Sequence, residues 1–355
     1  MKTPWELLKE SKTKIKTTWR IAFVSALVLG LLIHLPVMLS DIPNHDGLSS
    51  MYFDQNMITS GRWFLTVACG FSSYFTIPWV IGLIGLIWLA LTAAVLTEVL
   101  ELTDPVTITV VSGLLVSFPA LASTFAYVFT MDGYMMALFL AVLAVLFTAK
   151  YPRGYLAGAV CLAFSMGIYQ AYLPFTILLC VYKILLYFME EKGWKEKAKY
   201  VCHYLGMGIA GGVLYYVILQ ILLKLQGKVL DTYQGINSME QMGSGMGILA
   251  TIKGMYVDFL AFTVHGNVLV NNIFSLAACI ILVATVVFLV IRSMIWRKWW
   301  KNPAFFVIMI LLGISMPLLT NVILLISPNL TYHLLMRYQW VLYLILMTAF
   351  ADRYT

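Results

Sequence analysis

The chain has 355 residues, 61% of them hydrophobic and only 11% charged. A soluble domain has too little interior to hide that much apolar surface, so the composition excludes a water-soluble globular protein and indicates a polytopic membrane protein. The formal net charge of +7 would suit a nucleic-acid binder, but Lys and Arg gather in clusters beside apolar runs, the pattern of membrane loops, and no nucleic-acid partner is expected.

In chain order, segment 1–20 reads as a cytoplasmic interfacial helix. Thr3 and Glu6 have capping-box spacing and Pro4 takes the first helical position; Trp5, Leu8, Ile15 and Trp19 can meet lipid while Lys9, Lys12, Lys14 and Lys16 meet anionic headgroups. Crossing about 30 Å of hydrocarbon takes roughly 20 residues. Apolar runs approaching that length fall near 21–39, 76–97, 106–123, 134–149, 154–170, 173–189, 202–223, 270–291, 304–326 and 338–351. The segment Tyr169-Gln170-Ala171-Tyr172-Leu173-Pro174 is read as the turn between two of them, with Pro174 in a first helical turn. The first run is long and lacks a small-residue cleavage site, so a cleaved signal peptide is not expected.

Ten crossings put both termini in the cytoplasm. Of the 23 Lys and Arg, only Arg62, Lys224, Lys228, Lys253 and Arg337 then fall outside, which agrees with the positive-inside rule. Residues 248–262 also carry apolar side chains at helical spacing. Counting them as a span would reverse the basic cluster Arg297–Lys301, so they are expected to form a helix along the outer surface, within a long external loop 224–269. The five cysteines show no CxxC spacing and read as packing residues. The whole chain, 1–355, reads as one transmembrane domain without repeats.

Mid-span charge, the mark of ion and proton pathways, is nearly absent. Polar chemistry gathers instead on the outer face. The first external loop, 40–75, supplies Asp41, His45, Asp46, Asp54 and Arg62; a second turn supplies Asp132; a third supplies Tyr332, His333, Arg337 and Tyr338. An outer cavity lined by these groups suits transfer of a sugar from a polyprenyl phosphate. A carboxylate takes the proton of the attacking hydroxyl, and Arg, whose fork matches phosphate, holds the departing anion. Bland readings compete: Asp132 could be a helix N-cap, and Arg62 and Arg337 could anchor span ends at headgroups.

Four short motifs in order resemble the bacterial type II glucosyltransferase family, the serotype-converting polytopic enzymes that modify O-antigen. They are His45-Asp46, where the family has paired acids; Gly61-Arg62; Phe118-Pro119 followed by Tyr127-Val-Phe129-Thr-Met-Asp132-Gly; and Ile168-Tyr169-Gln170-Ala171. The likeness is clearest in the first half. It implies an all-α, GT-C-like polytopic fold of about ten transmembrane helices. It also implies inverting transfer of a hexose, glucose by the family's habit, from undecaprenyl phosphate to a cell-envelope glycan outside the cytoplasm, with neither metal nor cofactor. In that reading Asp46 is the general base with His45 tuning it, Arg62 and Arg337 bind the donor phosphate, and His333 is a further substrate-binding residue. Asp132 would orient acceptor or donor hydroxyls, and Tyr169 with Gln170 would shape the substrate pocket. A polyprenyl-phosphate glucose synthase and a flippase would be functional partners in the bacterial cytoplasmic membrane. Two other readings stay open: a flippase or exporter of lipid-linked sugars without covalent chemistry, and a non-catalytic family member.

Overall fold

The computed structural model describes residues 3, 15–40, 57–72, 75, 77–231, 245–296, 298, 303–327 and 330–355. Among these the long elements are helices: α1 (Thr17–Leu39), α2 (Pro78–Leu100), α3 (Pro105–Ser117), α4 (Pro119–Phe125), α5 (Met131–Lys150), α6 (Gly154–Ile168), α7 (Leu173–Met189), α8 (Trp194–Gln226), α9 (Gly245–His265), α10 (Ile273–Trp296), α11 (Pro303–Thr320) and α12 (Val341–Tyr354). Among the described residues eight helical stretches are long and apolar enough to cross a membrane, and the bent pair α3–α4, taken as one span, makes a ninth; α6 and most of α11 are shorter apolar helices. The protein is an all-α, multi-pass membrane protein. Each of the ten apolar runs falls on a helix or on helical pieces in succession. The surface-helix segment 248–262 is the middle of α9, which is itself long enough to span. Residues 17–20 are continuous with α1, and most of segment 1–14 lies outside the described residues.

Local chemistry sets the helix ends. Pro78 and Pro105 occupy first helical positions, where a missing N–H costs nothing, and the Asp104 side chain caps α3 by accepting from the Thr107 N–H at 2.8 Å. Gly227, at φ +61°, closes α8 in the left-handed conformation that a helix C-terminus favours. Pro119 ends α3 and begins α4, and the two meet at a bend of 49°.

That bend exposes backbone acceptors inside the bundle. Pro119 has no N–H to give the Leu115 carbonyl, and the Val116 carbonyl also faces the break. The Tyr338 hydroxyl donates to the Leu115 carbonyl. His34 Nε2 meets the Val116 carbonyl at 2.8 Å, while its ring stacks on Phe125 at 4.0 Å. With no water in hydrocarbon, such groups must find protein partners. The break thus ties α1, α3–α4 and the stretch Leu334–Trp340 together.

Packing runs α3 on α1, α1 on α2, α2 on α5, α5 on α6 and α6 on α8, with α12 against α3 and α10, and α7 against α11. Ser165 on α6 and Thr176 on α7 donate to carbonyls of α5, at Ala137 (2.7 Å) and Ala141 (3.2 Å). One end of the bundle carries an ion cluster. Glu98 accepts from Lys16 and Lys150 at 2.7 and 2.8 Å, and Glu101 from Lys183 and Arg353 at 2.6 and 2.8 Å. Lys16 precedes α1 and Arg353 sits at the end of α12, so the first and last helices have these termini at the same end.

Two outcomes follow. Tyr338→Phe keeps the ring but orphans the Leu115 carbonyl, and should lower unfolding free energy by about 1–3 kcal/mol in detergent melts; unchanged stability would show that the break needs no donor. Burial alone would raise the Glu101 carboxyl, but its hydrogen bond to Lys183 and the charges of Lys183 and Arg353 outweigh that and hold it below its usual range. A depressed carboxyl stabilises the fold above its unfolded-state value and loses that contribution as pH falls through the lower folded-state value. Melting temperature should therefore drop on acidification below about pH 4.3, and the drop should shrink in Glu101→Gln.

Candidate functional site

The site is built on residues 57–72, which follow the first helix and lie at the opposite end of the bundle from Glu98 and Glu101. Ile58–Ser60 makes one 3-10 turn, closed by Gly61 at φ +76°, and Arg62 N–H returns to the Met57 carbonyl at 3.1 Å. Only glycine enters that backbone region readily. Space imposes the same choice: a Cβ on Gly61 would stand 2.5 Å from the Tyr215 hydroxyl and 2.6 Å from Gln170 Nε2. These two side chains hold the turn. Tyr215 donates to the Gly61 carbonyl at 3.0 Å, and Gln170 Nε2 donates to the Ser60 carbonyl at 3.2 Å and the Tyr215 oxygen at 3.0 Å.

The next residues fasten the turn to α6. Phe64 N–H donates to the Gly167 carbonyl at 2.7 Å, and the Trp63 ring lies so close to Gly167 that a Cβ there would come within 2.6 Å of it. Phe164 meets both aromatic rings, at 5.3 Å from Trp63 and 4.7 Å from Phe64.

Arg62 is aimed by this arrangement. Its guanidinium lies 5.0 Å from the Tyr169 ring centre and donates from Nη1 to the Tyr134 hydroxyl at 3.2 Å. Tyr134 and Tyr169 stack nearly parallel at 4.2 Å. A cation held over an aromatic face keeps its charge while its position is fixed. Half-buried Arg62 lines a cleft of about 100 Å³ with Tyr169, Gln170 and Tyr215; Leu230, Ile323, Leu330 and Met336 supply an apolar wall.

Asp132 sits in the first turn of α5, buried. It accepts from Ser72 Oγ at 2.6 Å, Ser72 N–H at 3.3 Å and Gly133 N–H at 2.9 Å. It therefore ties the 57–72 segment to α5, two residues before Tyr134. The N-cap position of α5 is Thr130.

Arg337 lies in a separate aromatic box. Its terminal nitrogens both donate to Asp258 of α9, at 2.7 Å each, and Nε to the Tyr332 carbonyl at 3.3 Å; the rings of Tyr332 and Phe262 lie 3.9 and 4.7 Å from its guanidinium carbon. His333 is exposed and does not line the cleft. The structure thus brings Arg62, Tyr169 and Gln170 together and anchors Asp132 to the same segment, while Arg337 has its own carboxylate partner. His45 and Asp46, like Asp41 and Asp54, lie outside the described residues.

The sequence reading missed Tyr134, Tyr215, Gly167 and Asp258. Tyr134 and Gly167 adjoin motifs already singled out. Tyr215 and Asp258 sit in long helices with no local signal and meet partners 154 and 79 residues away. A larger cavity, about 340 Å³, adjoins Glu98, Glu101, Lys150, Lys183 and Arg353 at the other end, but these charges are paired with one another. Among the described residues no group of three or more His, Cys, Asp or Glu could hold a metal ion.

A family model described as glucosyl transferase GtrII matches residues 35–350. The chain belongs to this glucosyltransferase family. Its match covers both the Gly61-Arg62 turn and the Arg337 box. No curated protein and no solved structure matches the chain.

Gly61→Ala should lower stability by about 1–3 kcal/mol through the left-handed backbone alone, with the Tyr215 contact adding to it. In thermal melts, adding Tyr215→Phe should recover part of the loss by removing the clashing hydroxyl. No recovery would show that Tyr215 is not what confines the turn.

Proposed function

We propose that this member of the glucosyltransferase family moves a hexose, with glucose first in line, from a polyprenyl-phosphate donor to a cell-envelope glycan on the extracytoplasmic side, with inversion. The observation that carries the reading is Arg62, held over Tyr169 at the edge of a small, mostly apolar cleft. A phosphate on a lipid needs that combination: a cation for the headgroup and apolar walls for the chain.

In this reading the acceptor hydroxyl oxygen attacks the anomeric carbon from the face opposite the phosphate. The carbon–oxygen bond to phosphate breaks, and its electron pair leaves with the polyprenyl phosphate. Asp46 takes the hydroxyl proton, with His45 beside it in sequence tuning the carboxylate. A positioned base of this kind supplies about 10²–10⁴ in rate. Arg62 stabilises charge growing on the departing phosphate, and Arg337, at the neighbouring box, is the second phosphate ligand. Tyr169 and Gln170 shape the cleft, Asp132 fixes the segment that carries Arg62, and His333 contacts substrate from the rim. The reaction invokes no cofactor or metal; a polyprenyl-phosphate glucose synthase and a flippase would supply the donor outside.

The membrane placement follows the same logic. Lys16, Lys150, Lys183, Lys192 and Arg353 crowd the end where Lys16 and Arg353 lie, as cytoplasmic ends do. Reaching the same end twice needs an even number of crossings. Ten satisfies this when α9 lies along the outer surface. Both termini are then cytoplasmic in a bacterial inner or plasma membrane, with Arg62 outside.

The test is transfer from labelled polyprenyl-phosphate glucose to envelope glycan in proteoliposomes. Asp46→Asn should abolish product while donor binding and melting persist, and Arg62→Ala should weaken donor binding by about tenfold or more, as loss of a charge-assisted contact worth roughly 1.5–3 kcal/mol implies. Wild-type turnover by Asp46→Asn would remove it as the base. Movement of the lipid across the bilayer without any covalent product would replace the transferase with a flippase.

A further inference from the structure

Behind α9 lies a polar cluster around Arg337, the second phosphate ligand of the reading above. Arg337 is nearly buried, and Asp258 occupies both terminal nitrogens of its fork. Carboxylate and phosphate present the same spacing of oxygens to such a fork, so one can stand where the other binds. Asn321 donates to Asp258 at 3.2 Å and to the Met255 carbonyl at 2.8 Å, and Gln339 donates to the Thr320 carbonyl at 3.0 Å. Their amide oxygens, on residues 0% and 1% exposed, have no hydrogen-bond donor among the described residues. Unmatched acceptors this deep are costly, and an ion pair beside them adds a second desolvation cost.

The cover over this cluster is lightly held. Met255 is the one buried side chain of α9 among the described residues. Besides the contacts at Asp258 and Asn321, Tyr256 donates to the Ile314 carbonyl at 2.6 Å, and Phe259 and Phe262 pack on Trp340 at 6.0 and 4.7 Å. Moving α9 would uncover Met255 and lift Phe259 and Phe262 off the Trp340 edge of the core, a small apolar area beside that of the other helices.

We propose that the Arg337 box is a latched phosphate site, in which the Asp258 carboxylate stands in for the phosphate of a lipid-linked sugar. The incoming phosphate displaces Asp258, α9 tilts away, and the already unmatched amide oxygens of Asn321 and Gln339, uncovered by the tilt, accept hydroxyls of the sugar. The inference rests on the reading of the chain as an enzyme of polyprenyl-phosphate sugars and adds to it a self-competing gate. A site closed by its own carboxylate binds ligand more weakly by the fraction of time it is open.

Farnesyl phosphate, which lacks a sugar and cannot be turned over, is the probe, with inorganic phosphate as the comparison. Full-length protein in lipid nanodiscs is titrated with each. Asp258→Asn should tighten farnesyl phosphate by about tenfold, as expected if the wild-type site is open about a tenth of the time. Asp258→Glu should not tighten it, and adding Arg337→Gln should cancel the gain. Inorganic phosphate at equal concentration should not compete, because the apolar chain is needed. In a background with Cys161, Cys202 and Cys279 each replaced by Ser, the three native thiols that are not buried, a thiol reagent should label Met255→Cys faster when farnesyl phosphate is present. Unchanged or weaker binding by Asp258→Asn with an intact melt, or unaltered Met255→Cys labelling, would overturn the latch while wild-type binding leaves the transferase reading standing. Farnesyl phosphate binding by neither wild type nor Asp258→Asn would overturn both.

Discussion

A carbonyl without a donor inside hydrocarbon costs several kcal/mol, and Pro119 creates that situation at Leu115. The Tyr338 hydroxyl answers it, and His34 answers the neighbouring carbonyl at Val116. From Tyr338 an aromatic wall runs on: its ring faces Phe175 at 5.8 Å and meets the edge of Tyr172 at 6.4 Å, and Tyr172 meets Tyr169 at 5.5 Å. Tyr169 is the ring under Arg62. The helix break is therefore coupled by contact to the placement of both arginines, Arg337 as the residue before Tyr338 and Arg62 through the wall. Backbone satisfaction and site geometry are one problem here.

The Gly61 turn solves the complementary problem at the outer segment. A short irregular stretch must hold a cation at a fixed height, and it does so with backbone carbonyls bound by Gln170 and Tyr215 and the Trp63 ring wedged against Gly167. Asp132 pins the far end of the same stretch through Ser72. These contacts come from α5, α6, α8 and the α6–α7 connection, so the segment is placed by the bundle as a whole.

Much of the fold was legible because crossing length and hydropathy are imposed by the bilayer, not by distant contacts. The runs at 21–39, 173–189 and 202–223 lie within α1, α7 and α8, and Pro174 sits in the first turn of α7 as its fixed φ dictates. Gly61-Arg62 and Tyr169-Gln170 were each legible as motifs along the chain, whereas the placing of Arg62 over the Tyr169 ring and of Gln170 on the Ser60 carbonyl is set by the fold. Pairings set by tertiary packing were not legible. Nothing local to Arg337 announces a carboxylate 79 residues upstream, and Asp132, readable as a cap, turns out to serve Ser72. The Asp46 assignment stands on sequence spacing, as that residue lies outside the described residues.

The most direct measurement is a structure of the protein in lipid with a non-transferable polyprenyl-phosphate sugar analogue, read for the position of phosphorus. The account places the phosphate within hydrogen-bonding distance of the Arg62 guanidinium, with the polyprenyl chain leaving along the wall of Ile323, Leu330 and Met336. Phosphate bound at the Glu98–Glu101 end of the bundle, with the Arg62 cleft empty, would contradict it.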